Sequence, residues 1–181
     1  FSAAATITNA TASGSVTGDS RVGGLVGENG GTIQNATAFG SVNGTDNVGG
    51  LVGDNRGGTI QNATASGGVN GSEKVGGLVG SNDVNLTDTS ASGSVTGTDN
   101  DVGGLVGEND GTVQNATASG SVTGKRNVGG LVGNSRGTIQ NATASGSVTG
   151  DSRVGGLVGQ NQAFSAAATI TNATASGSVT G

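Results

Sequence analysis

The sequence lacks cysteine, histidine, proline, methionine, tryptophan and tyrosine, and phenylalanine is its only aromatic residue, with three copies. Without cysteine there is no disulfide framework, no thiolate nucleophile and no cysteine-based zinc site. Without histidine there is no histidine-dependent triad and no imidazole metal ligand. We therefore expect a protein that is not an enzyme and that carries no cofactor and no metal site.

Positive charge is also scarce. Seven Lys and Arg residues stand against twelve Asp and Glu residues, which gives a formal net charge of −5. A nucleic-acid-binding protein normally presents a basic face, and these few cations cannot form one. Because the hydrophobic runs are only a few residues long, we expect neither a nucleic-acid partner nor a transmembrane segment.

What the chain does contain is glycine, at 39 of 181 positions, in one repeated motif. Two strings recur at intervals of 26 or 27 residues over most of the chain. Gly-Gly-Leu-Val-Gly begins at Gly23, Gly49, Gly76, Gly103, Gly129 and Gly155. Asn-Ala-Thr-Ala begins at Asn9, Asn35, Asn62, Asn115, Asn141 and Asn172. A strict repeat of this length indicates a solenoid or another stacked architecture.

A second order of repetition connects the two ends of the chain. Residues 1–18 and 164–181 are identical, an offset of 163 residues. The segment 160–168 is an enlarged version of a corner that is shorter in the other units. We therefore expect residues 1–181 to be a single repeat array and a window on a longer tandem-repeat protein.

The repeat predicts an all-β fold. Thr, Val, Ile and Ser favour extended chain, and the many glycines disfavour helix. Each unit offers three short strands, of which Thr112–Ala118, Ser121–Thr123 and Val128–Val132 are one set. The sequence thus predicts a parallel β-solenoid of about six coils, in which each strand stacks on its equivalent about 4.8 Å away.

The expected core consists of columns of identical apolar residues, with Ala36 and Ala38 inward and Thr37 outward. Strict alternation along Val128–Val132 puts Leu131 on the face opposite to the two valines. Either Leu131 forms an exposed ridge, or the preceding Gly-Gly pair makes a bulge that turns the leucine inward. The predicted columns are Ile33, Ile60, Val113 and Ile139; Val42, Val69, Val95, Val122 and Val148; and Val48, Val75, Val102, Val128 and Val154.

The Gly-Gly-Leu-Val-Gly core, with a downstream Asn and an upstream Val-Thr-Gly, resembles the GLUG motif. This short repeat occurs in bacterial surface and secreted proteins, including adhesins of the filamentous-haemagglutinin kind. The resemblance implies a stalk or scaffold element at the cell surface or outside the cell. It carries no catalytic residues that could be transferred to this chain.

Charged side chains fall in two corners of each unit, and they invite two chemical interpretations. Calcium needs six to eight oxygen ligands, and a glycosidase needs two acids across a cleft. The acids of Thr98–Asp101 and Glu108–Asp110 do not recur in every coil. Solvated corners are therefore the favoured interpretation.

Three uncharged features remain as candidate sites. Thr37, Thr64, Thr117 and Thr143 would form an outward threonine ladder. Phe39 and Phe164 interrupt the pattern and, with Leu131, are candidates for lateral contacts between rods. Each Asn-Ala-Thr is a glycosylation sequon, although a repeated asparagine on a strand favours a hydrogen-bonded ladder.

These observations predict a stiff, non-catalytic rod in an extracellular fibre, sheath or adhesin stalk, self-associating end to end or laterally. The alternative is a binding module whose Thr-rich face recognises ice, a glycan or another rod.

Overall fold

The computed structural model describes residues 5–163 and 167–181. These residues form 27 strands and no helix. The strands belong to four sheets, and every strand pair within a sheet is parallel. The chain runs from sheet 1 to sheet 2, sheet 3 and sheet 4 and then returns to sheet 1 one coil further along. The predicted β-solenoid of about six coils is confirmed.

Each sheet collects the equivalent strands of successive coils. Sheet 1 contains β1 (Thr6–Thr8), β2 (Thr11–Ala12), β6 (Thr32–Ala38), β10 (Ile60–Ala65), β14 (Asn85–Ala91), β18 (Thr112–Ala118), β22 (Thr138–Ala144) and β26 (Thr169–Ala175). Sheet 2 contains β3 (Val16–Thr17), β7 (Val42–Asn43), β11 (Val69–Gly71), β15 (Val95–Gly97), β19 (Val122–Thr123), β23 (Val148–Thr149) and β27 (Val179–Thr180). Sheet 3 contains β4 (Ser20–Gly23), β8 (Asp46–Gly49), β12 (Glu73–Gly76), β16 (Asn100–Gly103), β20 (Arg126–Gly129) and β24 (Ser152–Gly155). Sheet 4 contains β5 (Val26–Asn29), β9 (Val52–Asn55), β13 (Val79–Asn82), β17 (Val106–Asn109), β21 (Val132–Ser135) and β25 (Val158–Asn161).

Register follows the repeat, so that like residues stack on like. Ile33 pairs with Ile60, Val42 with Val69, and Val48 with Val75. The enlarged corner does not disturb this register, because Thr138 pairs with Thr169 beyond it.

The number of strands per coil differs from the prediction of three. The segment expected to be one strand, Val128–Val132, is divided between β20 and β21 by a bend at Gly130 and Leu131. Each complete coil therefore has four strands. The choice between an exposed ridge and a bulge assumed strict alternation of side chains, which does not hold across this bend. Leu131 points into the core and has no exposed surface.

Two apolar columns fill the interior. The larger lies between sheets 1 and 4 and includes Ile33, Ala36, Ala38, Leu51 and Val52, all buried, with their equivalents. The smaller lies between sheets 2 and 3 and consists only of valines. Because each coil contributes the same few side chains, the core extends along the rod and does not thicken.

Glycines allow sheets 3 and 4 to pack backbone against backbone. A Cβ atom on Gly103 would lie closest to the carbonyl oxygen of Val106, 2.7 Å from the amide nitrogen of Gly133 and 2.9 Å from the carbonyl oxygen of Leu131. Real Cβ contacts this short are not found, so a side chain is excluded here. Among the described residues no glycine has a positive φ, which means that close approach, and not left-handed conformation, selects glycine in this motif.

Candidate functional site

The outward face of sheet 1 presents columns of uncharged polar side chains. Thr64, Thr117 and Thr143 are exposed and Thr37 is half-buried. Thr37 pairs in register with Thr64, and Thr117 with Thr143, while Ser90 occupies the intervening position. The Thr64 hydroxyl donates to the Thr37 hydroxyl at 3.3 Å. The structure therefore places the four threonines in one outward column that a serine interrupts.

The asparagine of each Asn-Ala-Thr-Ala string has a conformational role that the sequence did not reveal. Asn35 has a φ of 55°, and its equivalents lie between 51° and 55°. Asparagine tolerates this left-handed conformation better than most residues do. Here it resets the alternation of inward and outward side chains along the strand. As a result Ile33 and Ala36, three residues apart, both point into the core.

The same asparagines form a hydrogen-bonded ladder along the rod. Asn35 Nδ2 donates to Asn9 Oδ1 at 3.0 Å, and Asn115 Nδ2 donates to Asp88 Oδ1 at 2.9 Å. The hydrogen-bonded ladder expected at this position is present, and it is exposed and joins side chain to side chain. Fixed in this way, the column adds order to the outward face of sheet 1.

The three candidates for lateral contact have different outcomes. Phe39 is 55% exposed and is flanked in register by small residues, so it projects beyond the face. Leu131 is fully buried, and the lateral contact predicted for it is wrong because the bend at Gly130 and Leu131 directs it inward. Phe164 lies outside the described residues.

A second asparagine ladder, which sequence reasoning missed, is buried at the end of sheet 4. In successive coils the Nδ2 of one asparagine donates to the Oδ1 of the next at 2.8 Å, in the order Asn29, Asn55, Asn82 and Asn109. Asn82 Nδ2 also donates to the carbonyl oxygen of Val84 at 2.8 Å, which ties the ladder to the corner. The sequence signal that could have revealed this ladder is the asparagine that stands two residues after Gly-Gly-Leu-Val-Gly in most units. Ser135 replaces it once, and its buried hydroxyl has no hydrogen-bond partner.

The two charged corners meet on one face of the rod. The strands of sheets 3 and 4 lie back to back. As a result, the residue before Val-Gly-Gly in sheet 3 of one coil faces the residue after Leu-Val-Gly in sheet 4 of the next coil. Arg21 Nε lies 3.5 Å from Asp54 Oδ2, and Lys74 Nζ lies 2.7 Å from Glu108 Oε2. Asp54 is buried but Arg21 remains partly exposed, so these ion pairs connect neighbouring coils at the surface of the rod.

Glu108 is the carboxylate of this face that joins cations from two other coils. It accepts hydrogen bonds from Lys74 and from Arg136, and Arg136 also contacts Asp110 at 3.1 Å. Burial raises the pKa of Glu108, but the hydrogen bonds from the two cations outweigh burial and hold its pKa below the ordinary value. Of the carboxylates considered for catalysis or calcium, Glu108 and Asp110 are thus engaged in ion pairs along the rod.

Asp101 is shifted in the opposite direction. It lies in the column that continues into Asn127, whose Nδ2 donates to Asp101 Oδ1 at 2.7 Å. Burial raises the pKa of Asp101, and the hydrogen bond from Asn127 does not fully offset it. The charged form of this carboxylate is therefore less favourable in the fold than in the unfolded chain.

Glu108→Gln is expected to lower the free energy of unfolding at pH 7 by about 1–2 kcal/mol, because Lys74 and Arg136 lose their buried counter-charge while part of each remains hydrated. Glu108 has a lowered pKa in the fold, so its stabilisation is present above the unfolded pKa and is lost as pH falls through the folded pKa. Urea denaturation at several pH values measures this. Glu28→Gln, in the same column but with a half-exposed ion pair at 3.4 Å, is the control and should change stability by less than about 0.5 kcal/mol. Equal losses in the two variants would contradict the assignment.

Asp101→Asn is expected to raise the free energy of unfolding at pH 7 by about 0.5–1 kcal/mol, since Asn47 and Asn127 occupy the same column in other coils. The raised pKa of Asp101 means that the wild type recovers stability as pH falls through the folded pKa towards the unfolded one. The advantage of the variant should therefore shrink over that range. Thermal melts at neutral and acidic pH measure it, and an advantage that grows on acidification would refute the mechanism.

Comparison with known families decides what kind of repeat this is. The sequence model of one family, described as the GLUG motif, matches residues 18–43, 98–123, 124–149 and 150–180, more than half of the chain. The chain belongs to the GLUG-motif family. The GLUG coils extend beyond the matched segments, because β8 to β15, between residues 44 and 97, continue all four sheets in register. A GLUG repeat folded as a solenoid fits a repeat-based structural or binding protein.

The other comparisons add no relatives. Neither the curated proteins nor the solved structures gave a match.

The described residues contain neither a membrane-spanning helix nor a metal-binding cluster. No helix among them is long and apolar enough to cross a membrane. Within residues 5–163 and 167–181, no three or more Asp, Glu, His or Cys side chains are grouped so that they could hold a metal ion.

Proposed function

We propose that this GLUG array is a stiff, non-catalytic rod segment of an extracellular fibre, sheath or adhesin stalk. The observation that carries the proposal is the unbroken register of like residues through all coils. Backbone ladders, two asparagine ladders and inter-coil ion pairs all run in the direction of the rod axis. Each coil is therefore fastened to the next by several independent kinds of contact.

The charged network supports a structural role over a catalytic one. Glu108 and Asp110 are bound by Arg136, and Asp54 is bound by Arg56 at 2.6 Å. Carboxylates that are ion-paired along the rod are poorly suited to proton transfer to a substrate. Their arrangement instead suits resistance to separation of the coils.

Force spectroscopy and electron microscopy test this function together. Negative-stain images should show straight rods of constant width. Pulling on the two ends should release coils one at a time, each step adding 26–27 residues or about 90 Å of contour length. Immunogold labelling of intact cells of the source organism should place the chain outside the cell. Compact particles, a single low-force collapse or purely internal labelling would each refute the proposal.

A binding module is the second candidate, favoured by the outward threonine column. In that case isolated short rods would bind ice or a glycan through Thr64, Thr117 and Thr143. Thermal hysteresis or retention on an insoluble polysaccharide, lost on changing these threonines, would support it over the rod.

A further inference from the structure

We propose that the outward face of sheet 1, here called the neutral face, is a lateral docking surface for a second copy of this chain. The inference rests on the proposed rod function and adds to it the surface and the partner. The neutral face is formed by the outward side chains of β1, β2, β6, β10, β14, β18, β22 and β26.

Charge separation is the first observation. The outward residues of these strands are Thr, Gln, Asn and Ser, and Asp88 is the one charged residue among them. All seven cations and the other eleven acids lie in sheets 3 and 4 and the segments beside them. Two copies that meet through their neutral faces keep these charges away from the middle of the interface, because the nearest of them, such as Asp110 and Arg136, lie in the corner that borders sheet 1. Contact through any charged face would bring like charges together.

Matching periodicity is the second observation, and it selects a second copy over other neutral partners. The columns of the face repeat once per coil, about 4.8 Å. A copy of the same rod has the same spacing, so each contact made by one coil recurs at every coil. A partner with a different repeat would fall out of step after a few coils.

The neutral face is already ordered before it meets a partner. Asn35 Nδ2 bonds Asn9, Asn141 Nδ2 bonds Asn115 Oδ1 at 3.2 Å, and the Thr138 hydroxyl lies 3.2 Å from that of Thr169. Side chains fixed by such ladders lose little conformational entropy on association. Polar contacts between two copies would then cost less than contacts between mobile side chains.

Phe39 supplies an apolar anchor at one edge of the face. It follows Ala38 at the end of β6 with outward parity, and it is 55% exposed. In its column Phe39 stands between Ser13 and Ser66, and serine also occupies this position in the remaining coils. A single exposed aromatic among serines is the kind of residue that gains most from burial in an interface.

The area available sets the strength of pairing. Seven coil levels and a strand of seven residues give a face of roughly 30 by 20 Å, or about 600 Å² per copy. A stable standard-size interface buries about 800 Å² per partner. Pairing of this chain should therefore be weak and reversible, and it should strengthen with the number of coils.

Sedimentation equilibrium of the intact chain up to about 1 mM tests the proposal. The wild type should form a concentration-dependent dimer. Phe39→Ser, which installs the residue found at that position in every other coil, should weaken the dimer by about tenfold. Asp88→Asn, which removes the lone charge and continues the asparagine ladder, should strengthen it several-fold. The double variant T64K/T117K should abolish it.

The matched control is T96K/T123K, which adds the same two charges at exposed positions on sheet 2. Its dimer constant should remain within about twofold of the wild type. A wild type that stays monomeric, or a dimer equally sensitive to both lysine pairs, would overturn the proposal. So would monomeric rods that bind ice or a polysaccharide through the same threonines. Straight rods that stay monomeric would refute the lateral pairing and leave the rod function intact. Compact particles in the same sample would refute the rod function itself.

Discussion

Gly103→Ala is expected to lower the free energy of unfolding by more than about 4 kcal/mol, which is exceptional for a single methyl group. The new Cβ would meet the carbonyl oxygen of Val106 and lie 2.7 Å from the amide nitrogen of Gly133 in the next coil. These are backbone atoms held in ladders, so neither can move aside without opening sheets 3 and 4. Urea denaturation followed by circular dichroism measures the loss.

Gly68→Ala is the matched control for this substitution. The Cβ atom at Gly68 would meet the Ser94 hydroxyl oxygen at 3.5 Å, an ordinary contact, and serine stands at this position in other coils. The control should be neutral or stabilising by up to about 1 kcal/mol, because alanine restricts the unfolded chain. If the two alanine variants were equally stable, the backbone-to-backbone packing of sheets 3 and 4 would be wrong.

Asn82→Ala is expected to cost about 2–4 kcal/mol. It would leave Asn55 Nδ2 and Asn109 Oδ1, at the buried end of sheet 4, without their 2.8 Å partners. It would also remove one of the two hydrogen bonds to the carbonyl oxygen of Val84, which keeps its bond from the Thr112 amide. Each buried polar group left unpaired costs about 1–3 kcal/mol, and water entering the gap would recover part of that. Thermal and urea denaturation measure the change.

Asn70→Ala controls for the loss of an asparagine ladder as such. Asn70 Nδ2 donates to Asn43 Oδ1 at 3.0 Å, but both residues are exposed, so water replaces the lost bond. The expected change is below about 0.5 kcal/mol. A loss in Asn70→Ala comparable to that in Asn82→Ala would show that burial is not what gives the inner ladder its importance.

The repeat alone sufficed to predict the solenoid, because a period of 26 or 27 residues with regularly placed β-branched residues leaves few other ways to bury them. The valine and isoleucine columns followed from that period, and so did the inward Ala36 and Ala38. The columns needed only the equivalence of coils, whereas Ile33 and Ala36 face the same side because of the left-handed Asn35 and not because of alternation.

Local backbone conformation explains what the sequence did not reveal. The bend at Gly130 and Leu131 ends a strand where alternation was assumed to continue, so the predicted strand count was wrong. Of the two alternatives for Leu131, the inward one is found. The left-handed φ of Asn35 likewise resets parity within β6. Neither is readable from residue type, since asparagine occurs in both left-handed and extended positions of this chain.

The charged face was missed for a different reason. Its two halves are separated along the chain by the Gly-Gly-Leu-Val-Gly motif, and they were assigned to separate corners. Only the back-to-back packing of sheets 3 and 4 brings Lys74 of one coil to Glu108 of the next. The glycines that permit this packing were evident, but the direction in which the chain bends at them was not.

Disulfide trapping is the most direct test of the stacking of like residues, because the chain has no cysteine of its own. Thr117 and Thr143 pair in register across β18 and β22 and are both exposed. The double variant T117C/T143C should form an intramolecular disulfide on oxidation in dilute solution, since Cα atoms on neighbouring strands lie within the range a disulfide spans. The pair T117C/S145C, displaced by two residues, should remain reduced. Equal oxidation of both pairs, or oxidation of the displaced pair alone, would contradict a solenoid in which each 26–27-residue unit forms one coil.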